Sequence, residues 1–539
     1  MTSRRCILSI WFILLFCLFL PLCLYGAKRP VLRMGVNISG FDTTDPHLAA
    51  SFADRMLIDM VFNGLIRYKP GLAPELEPDL ALEVPEPVNI NGKQTWTFHL
   101  RHKVYFHQLE NRPALELKAD TVVASFEKTK DPTRSAYAGG YDGIDVEALD
   151  ERTVRFTVDP PQSPLLFLPK VTNYAGGFVV AEVEDSMGEK RLLGTGPFSI
   201  SEQTGPRTFS LASHPFYFRH APLLTGVEIH FFPESVQLLA AFENDLDLIS
   251  GESSTEWVEK VKGLQNIIID RFGVPETDCI YFNTLYQPFA DIRVRKAVAY
   301  SLNRDLFLEP FGLHMAKKVF SPVPPHMPGG LGESEVKALN LDYPMNLHKA
   351  RELLTNAGYP EGFEFDVVVS ELIQIKKNYL TLQKQLAKIN IRMNIHIIDH
   401  ASYHKMIRMN SNPIVVYEAF RPTTDELLSL FFHSESKVMT GKKMATNFSN
   451  YTGIDNLVEQ ARSEQRTSIQ IKLWEYAQIK LLEDMVVYPL HFRKHTYVRK
   501  QYLDYGHPLK NAISLYPQIT EKTHLVNISR QSMSEQENL

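Results

Sequence analysis

Cysteine is nearly absent from this chain of 539 residues, which has four. Three of them, Cys6, Cys17 and Cys23, fall in one apolar segment at the N-terminus. If that segment is removed, only Cys279 remains, so an intrachain disulfide and a thiolate metal cage are both excluded. There is no long basic block either. Lys and Arg number 57 against 62 Asp and Glu, a net charge of −5, which argues against nucleic acid as a partner. Beyond the N-terminal segment no apolar run is long enough to suggest a membrane span. Also missing are a Gly-x-Ser-x-Gly nucleophile elbow, a Gly-rich phosphate loop ending in Lys-Ser or Lys-Thr, and a His-Glu-x-x-His pair. These absences point away from an enzyme and call for no cofactor and no metal.

What is present begins with Arg4 and Arg5, followed by an apolar run over positions 6–25 that only Ser9 and Pro21 interrupt, and then Gly26 and Ala27. A cationic start, an apolar stretch and small residues form an export signal, read here as residues 1–27. A retained membrane anchor is the alternative, and lipid attachment at Cys23 a further one, although Leu22 is larger than that modification prefers. The composition, 44% hydrophobic and 22% charged, is that of a globular protein. Single cores stop growing at roughly 250–300 residues, so the length calls for at least two lobes.

Periodicity places the elements. Positions 31–36 form a short apolar strand, and a helix is expected over 57–65. Trp96, Phe98 and Leu100 alternate with polar residues, as do Val154, Phe156 and Val158, which is the pattern of half-buried strands. Asp291 precedes Val294, Ala297, Val298 and Leu302 at helical spacing, so it reads as an N-cap. Asn346 does the same for Leu347, Ala350 and Leu354, and Gly358 marks that helix's end. Phe363, Phe365, Val367 and Val369 alternate, Leu382, Leu386 and Ile389 follow at helical spacing, and Ile391, Met393, Ile395 and Ile397 alternate again. This strand, helix, strand unit predicts an α/β lobe from about residue 276 onward. Positions 414–417 read as a further strand, and the polar tail from Ser529 to Leu539 as loose.

Three groups invite chemistry and have plainer readings. His99, His102 and His107 lie close together; on one strand, His99 and His107 would share a face and His102 the other, among packing aromatics, which does not favour a metal site. Gly194-Thr195-Gly196-Pro197 lacks the lysine of a phosphate loop and reads as a structural turn. Glu483-Asp484 reads as a solvated helix face.

Ordered motifs then carry a family resemblance. Asp45-Pro46-His47 and Phe62-Asn63-Gly64-Leu65 are followed by Thr97-Phe98-His99-Leu100-Arg101, Tyr105-Phe106-His107 and Lys118-Ala119-Asp120-Thr121-Val122. Next come Gly194-Thr195-Gly196-Pro197-Phe198, Phe282-Asn283, the run from Pro288 through Asp291, Arg293 and Arg295 to Val298, and Ala350-Arg351-Glu352-Leu353-Leu354 with Ala357-Gly358-Tyr359. Over about residues 31–495 the chain resembles the bacterial extracellular solute-binding proteins of the oligopeptide, dipeptide and nickel transporters.

The resemblance implies an α/β, two-lobed periplasmic-binding-protein fold (class II-like) with an extra subdomain inserted in the first lobe. The divisions would be 28–61 and 190–275 in the first lobe, 62–189 as the insertion, 276–495 as the second lobe, and 496–539 returning to the first and ending in the polar tail. It implies an exported, periplasmic, monomeric, non-catalytic receptor that binds short oligopeptides between the lobes and hands them to the permease subunits of an ABC transporter in the inner membrane. A metal chelate, haem or a murein peptide is the alternative ligand. An extended peptide would pair as an added strand with Ser51-Phe52-Ala53 and Val416-Tyr417-Glu418. Where the family carries an aspartate for the ligand's α-ammonium this chain has Phe420, which leaves Glu418 and Asp425 as candidate amine anchors and Arg421 as a partner for an anionic group.

Overall fold

The computed structural model describes residues 30–109, 112–201, 207–251, 255–274, 276–311 and 315–526. The expected export signal and the loose tail lie outside them. Among the described residues no helix is long and apolar enough to cross a membrane.

Two sheets share two chain segments, and that sharing organises the molecule. A seven-stranded sheet runs in the order Phe198–Ile200, Thr208–Ser213, Gly226–Phe231, Val31–Val36, Leu248–Ser250, His495–Lys500, Ile267–Phe272. Val31–Val36 lies parallel to both neighbours at its centre, where Leu32, Met34 and Val36 are fully buried. A four-stranded antiparallel sheet runs Ala316–Lys318, Val487–Arg493, Asp278–Phe282, Ile414–Tyr417. The chain passes from the first sheet to the second between Phe272 and Asp278 and returns between Arg493 and His495. These passages are neighbours, because Phe272 pairs with His495 in one sheet and Asp278 with His491 in the other. The protein therefore has two lobes joined by two adjacent crossing strands.

The inserted region builds its own antiparallel sheet from Val88–Ile90, Lys93–His99, Thr153–Val158 and Ile144–Asp150, over a core of Trp96, Phe98, Phe126, Phe156 and Phe167. In the second lobe Phe363–Ser370 and Ile391–Ile398 pair in parallel in full register, with the helix Ile373–Leu386 between them in sequence. A parallel pair requires such a crossover. The two lobes also touch at a rim. Ser163 donates to Gln470 at 2.5 Å in a buried contact, and Leu165 and Leu166 pack against the core of the second lobe. Tyr174 and Phe420 meet with ring centroids 5.9 Å apart.

Several local expectations hold. The Asp291 carboxylate accepts from Arg293 N, Asn346 Oδ1 accepts from Lys349 N, and Gly358 takes φ +92°, a conformation that suits glycine. The helix expected over 57–65 starts earlier and ends earlier, as Phe52–Val61. Ser51 and Asp54 explain its start, since the Ser51 hydroxyl accepts from Asp54 N. Its end packs against residues 194–197. A Cβ on Gly194 would lie 2.0 Å from Val61 O and one on Gly196 2.5 Å from Val61 C, so only glycine fits there. The three histidines do not share a strand. His99 ends one and pairs with Glu83 at 2.7 Å, His102 lies in a bend, and His107 is buried with its Nε2 3.0 Å from Gly196 O. Of the pair Glu483-Asp484, Glu483 is exposed at the helix end as expected, whereas Asp484 accepts from Tyr451 Oη and from Lys480 Nζ.

The family-like run from Pro288 to Val298 is explained by Arg295. Its buried guanidinium donates to the carbonyls of Phe289 at 2.7 Å, Ala290 at 2.9 Å, Asp484 at 2.8 Å and Met485 at 3.0 Å. It therefore ties the start of one helix to the end of the long helix Thr467–Glu483. A lysine has neither the fork nor the number of donors to do this. Arg295→Lys is expected to lower unfolding free energy by about 2 kcal/mol or more, measured by denaturant titration.

Candidate functional site

The strand Ile414–Tyr417 is the last of its sheet, so one edge faces away from Asp278–Phe282. An open edge is a template for an added strand. At Val416 this edge is closed. Val416 N donates to Tyr379 Oη at 2.9 Å, and Val416 O accepts from Tyr403 Oη at 3.1 Å. Main-chain groups alternate sides along a strand, so the next outward-facing residue is Glu418, just past the strand's end.

A cavity of about 270 Å³ lies beside this segment, lined by Glu276, Asp278, Asn378, His400, His404 and Glu418 among others. It sits where the chain crosses between lobes, and its acids are already matched. Arg493, on the returning strand, binds the carboxylates of both Glu418 and Asp278, and Glu276 lies 3.5 Å from His495 Nε2. One wall is a hydrogen-bonded relay. Arg408 Nη1 donates to His404 Nδ1 at 3.1 Å, which leaves Nε2–H of neutral His404 to donate to His400 Nε2 at 3.1 Å. His400 then donates from Nδ1 to Ser370 Oγ at 3.0 Å. Burial, His400 and Arg408 together depress the His404 pKa to about 4, in keeping with the neutral form this chain requires. Sequence reading passed over this pair, although His400 and His404 are four residues apart after the helix cap Asp399. Among the described residues no group of three or more His, Cys, Asp or Glu could hold a metal.

The place where the lobes meet at Tyr174 and Phe420 has a different electrostatic character. On the first-lobe side stand Arg55, Tyr174 and Lys170. Arg55 Nη1 donates to Tyr174 Oη at 2.7 Å, and Lys170 Nζ donates to Gly140 O. On the facing side are Phe420, Arg421 and Glu426. The Arg421 guanidinium donates to Phe420 O at 2.7 Å and lies 5.1 Å from the Phe431 ring centroid. Nε of both Arg55 and Arg421 is buried without a hydrogen-bond partner.

Glu426 lies in the first turn of the helix Thr424–Phe432, and Thr423 Oγ1 accepts from its N–H. The residue is exposed to solvent, and partial desolvation of its carboxyl raises its pKa. Asp425 adds to that rise, and Lys170, Arg421 and Arg55 oppose it. Among the described residues no oppositely charged side chain comes within ion-pairing distance of Glu426, Arg55, Lys170 or Arg421.

The sequence-derived site residues are thus sorted by geometry. Ser51, Phe52 and Ala53 open a helix instead of forming a strand edge, and Ala53 is buried within the first lobe. Val416 is sealed by two tyrosines, and Tyr417 packs against Phe448, with ring centroids 5.0 Å apart. Glu418 is held by Arg493. Asp425 faces Arg462 at 3.2 Å and accepts from Ser429. Phe420 and Arg421 lie at the gap. Glu426, beside the candidate Asp425, went unnoticed in the sequence. Thr423 and Glu426 match a capping-box spacing that gives the glutamate an ordinary role, but only the Thr423 half of the box forms.

The family model described as bacterial extracellular solute-binding proteins, family 5 Middle, matches residues 75–437, more than half of the chain. The chain belongs to this family. It is 25% identical to heme-binding protein A of Haemophilus influenzae, over 78% of this chain and 79% of that protein. It is also 25% identical to di/tripeptide-binding protein 2 of Pseudomonas aeruginosa, over 80% and 83%. Among solved structures, the binding protein MoaA from A. tumefacien, in complex with mannopinic acid, is 31% identical with a TM-score of 0.73, covering 93% of this chain and all of the other.

Since Asp425 already has partners, Asp425→Asn is expected to lower stability by about 1 kcal/mol in denaturant titration, a modest figure because Arg462 is 40% exposed. Tyr403→Phe leaves the Val416 carbonyl without its donor. It is expected to cost about 1–3 kcal/mol in the same measurement.

Proposed function

We propose that this chain is the substrate-binding component of a peptide ABC transporter, exported through residues 1–27. It takes up a short peptide between its lobes and delivers it, chemically unchanged, to permease subunits in the inner membrane. The observation that carries the reading is the sheet edge that ends at Tyr417 and continues into Glu418 and Phe420 at the gap. A peptide's unpaired main-chain groups can add there without demands on side-chain identity. The relative named for di- and tripeptides supports the same ligand class. Lobe divisions are proposed with it: 275/276 is supported by the chain's first passage between the sheets, and the return passage, between Arg493 and His495, supports a second division just before His495 instead of at 495/496. The protein works as a non-catalytic monomer that closes on its ligand, and closure is stabilised only by the ligand's differential affinity for the closed state.

A second reading, a small non-peptide acid, is favoured by the mannopinic acid complex of the 31% identical neighbour. Mass spectrometry of small molecules released from the purified protein lacking residues 1–27 separates the two. Recovery of short peptides is expected; haem, a metal chelate or a small non-peptide acid in their place contradicts the peptide reading.

A further inference from the structure

The sheet edge at the site is closed at both ends, and the length between the closures limits what can add to it. On the strand side, Val416 N donates to Tyr379 Oη at 2.9 Å and Val416 O accepts from Tyr403 Oη at 3.1 Å. The two hydroxyls lie 3.3 Å apart, and both side chains are fully buried, one on the helix Ile373–Leu386 and the other on His400–Arg408. Farther back the edge is closed again. The Asn412 side chain bonds both main-chain groups of Val368, at 3.0 and 2.9 Å, in the neighbouring strand Phe363–Ser370. At the far end, Phe420 O accepts from Arg421 at 2.7 Å, and the Phe420 ring packs against Tyr68, Ala73, Tyr174 and Ile513 of the other lobe. Between these stops Tyr417 pairs with Cys279, so the outward-facing main chain left open is that of Glu418. The cavity beside it, about 270 Å³, is smaller than the roughly 300–1,000 Å³ usual for drug-sized ligands.

We infer that Tyr379 and Tyr403 at one end and Phe420 at the other are length-limiting residues, which admit di- and tripeptides and exclude longer ones. From Val416 to Phe420 is four residues, at most about 13 Å at roughly 3.3 Å per residue. An extended tripeptide covers about 10 Å and fits between the stops, whereas a tetrapeptide needs about 13 Å before its end groups are counted. The stop at Val416 does not yield to a longer ligand. A strand that extended past it would take over the main-chain groups of Val416 and leave two buried tyrosine hydroxyls without them, so no hydrogen bond is gained and two polar groups lose partners. Nor can the Tyr379 ring swing aside freely, because it belongs to the core of the second lobe with Leu382 and Leu386, and its departure would open a cavity there. These stops act on main-chain length and make no demand on side-chain identity. The inference rests on the inter-lobe peptide reading and deepens it.

The test is calorimetry with L-alanyl-L-alanine, tri-L-alanine and tetra-L-alanine, which each carry one ammonium and one carboxylate and differ only in length. The parent protein is expected to bind the tetrapeptide at least tenfold more weakly than the tripeptide. Tyr379→Ala removes one stop and Phe420→Ala the other, and each is expected to shrink that preference to less than threefold. Tyr379→Ala truncates the core, so its melting is checked first; Phe420 is only part-buried, and Phe420→Ala decides the matter by itself if the core variant does not fold. Tetrapeptide binding as tight as tripeptide binding in the parent overturns the length limit while the peptide reading stands. A tripeptide preference that survives unchanged in the folded variants overturns the assignment to these residues. Binding of none of the three peptides overturns the peptide reading and the limit with it.

Discussion

The rest of the structure depends on two neighbouring strands that pass together from one sheet to another. Because Phe272 pairs with His495 on one side and Asp278 with His491 on the other, the passages are hydrogen-bonded to each other before and after the crossing. A double crossing of this kind lets the lobes turn about a line and resists sliding. It also sets the charge pattern nearby. Arg493 at the end of the returning strand holds Glu418 and Asp278 together, so the sheet edge that approaches the gap is anchored to the crossing itself.

That anchoring divides the work between main chain and side chains. The edge strand is closed at Val416 by Tyr379 and Tyr403, which confines any added strand to the segment beyond it. Side-chain charges there are matched within the protein. The unmatched charges lie on the facing walls, where Tyr174 meets Phe420. Buried ionic groups are stabilising only with close partners, and an enclosed gap strengthens whatever pairs form inside it. The family's named ligands include peptides and haem. One fold can host different specificities, because function lives in the site grafted on it.

Local pattern was legible in the sequence wherever local physics decides structure. Alternation gave the strand holding Trp96 and Phe98, whose inward residues are fully buried, and the parallel pair around Phe365 and Met393. Caps at Asp291 and Asn346 and the stop at Gly358 follow from single-residue backbone chemistry. The largely apolar stretch from Met56 to Leu65, broken only by Asp59, Asn63 and Gly64, concealed its helix boundary, because hydrophobicity there serves a helix and then a short strand in succession. The Ser51 cap would have located the start. The site was less legible. Whether a carboxylate is free depends on distant partners: Asp425 meets Arg462 and Glu418 meets Arg493, while Glu426 meets no such charge. Sequence proximity offered Glu418 and Asp425 together and passed over Glu426, and tertiary contacts distinguished them.

The central claim is that the lobes close around a short peptide. Small-angle X-ray scattering of the ligand-free protein, with and without saturating alanyl-alanine, tests it most directly. The expected result is a smaller radius of gyration and a more compact scattering profile when the peptide is present. Superimposable profiles, with calorimetry showing the peptide bound, would contradict it.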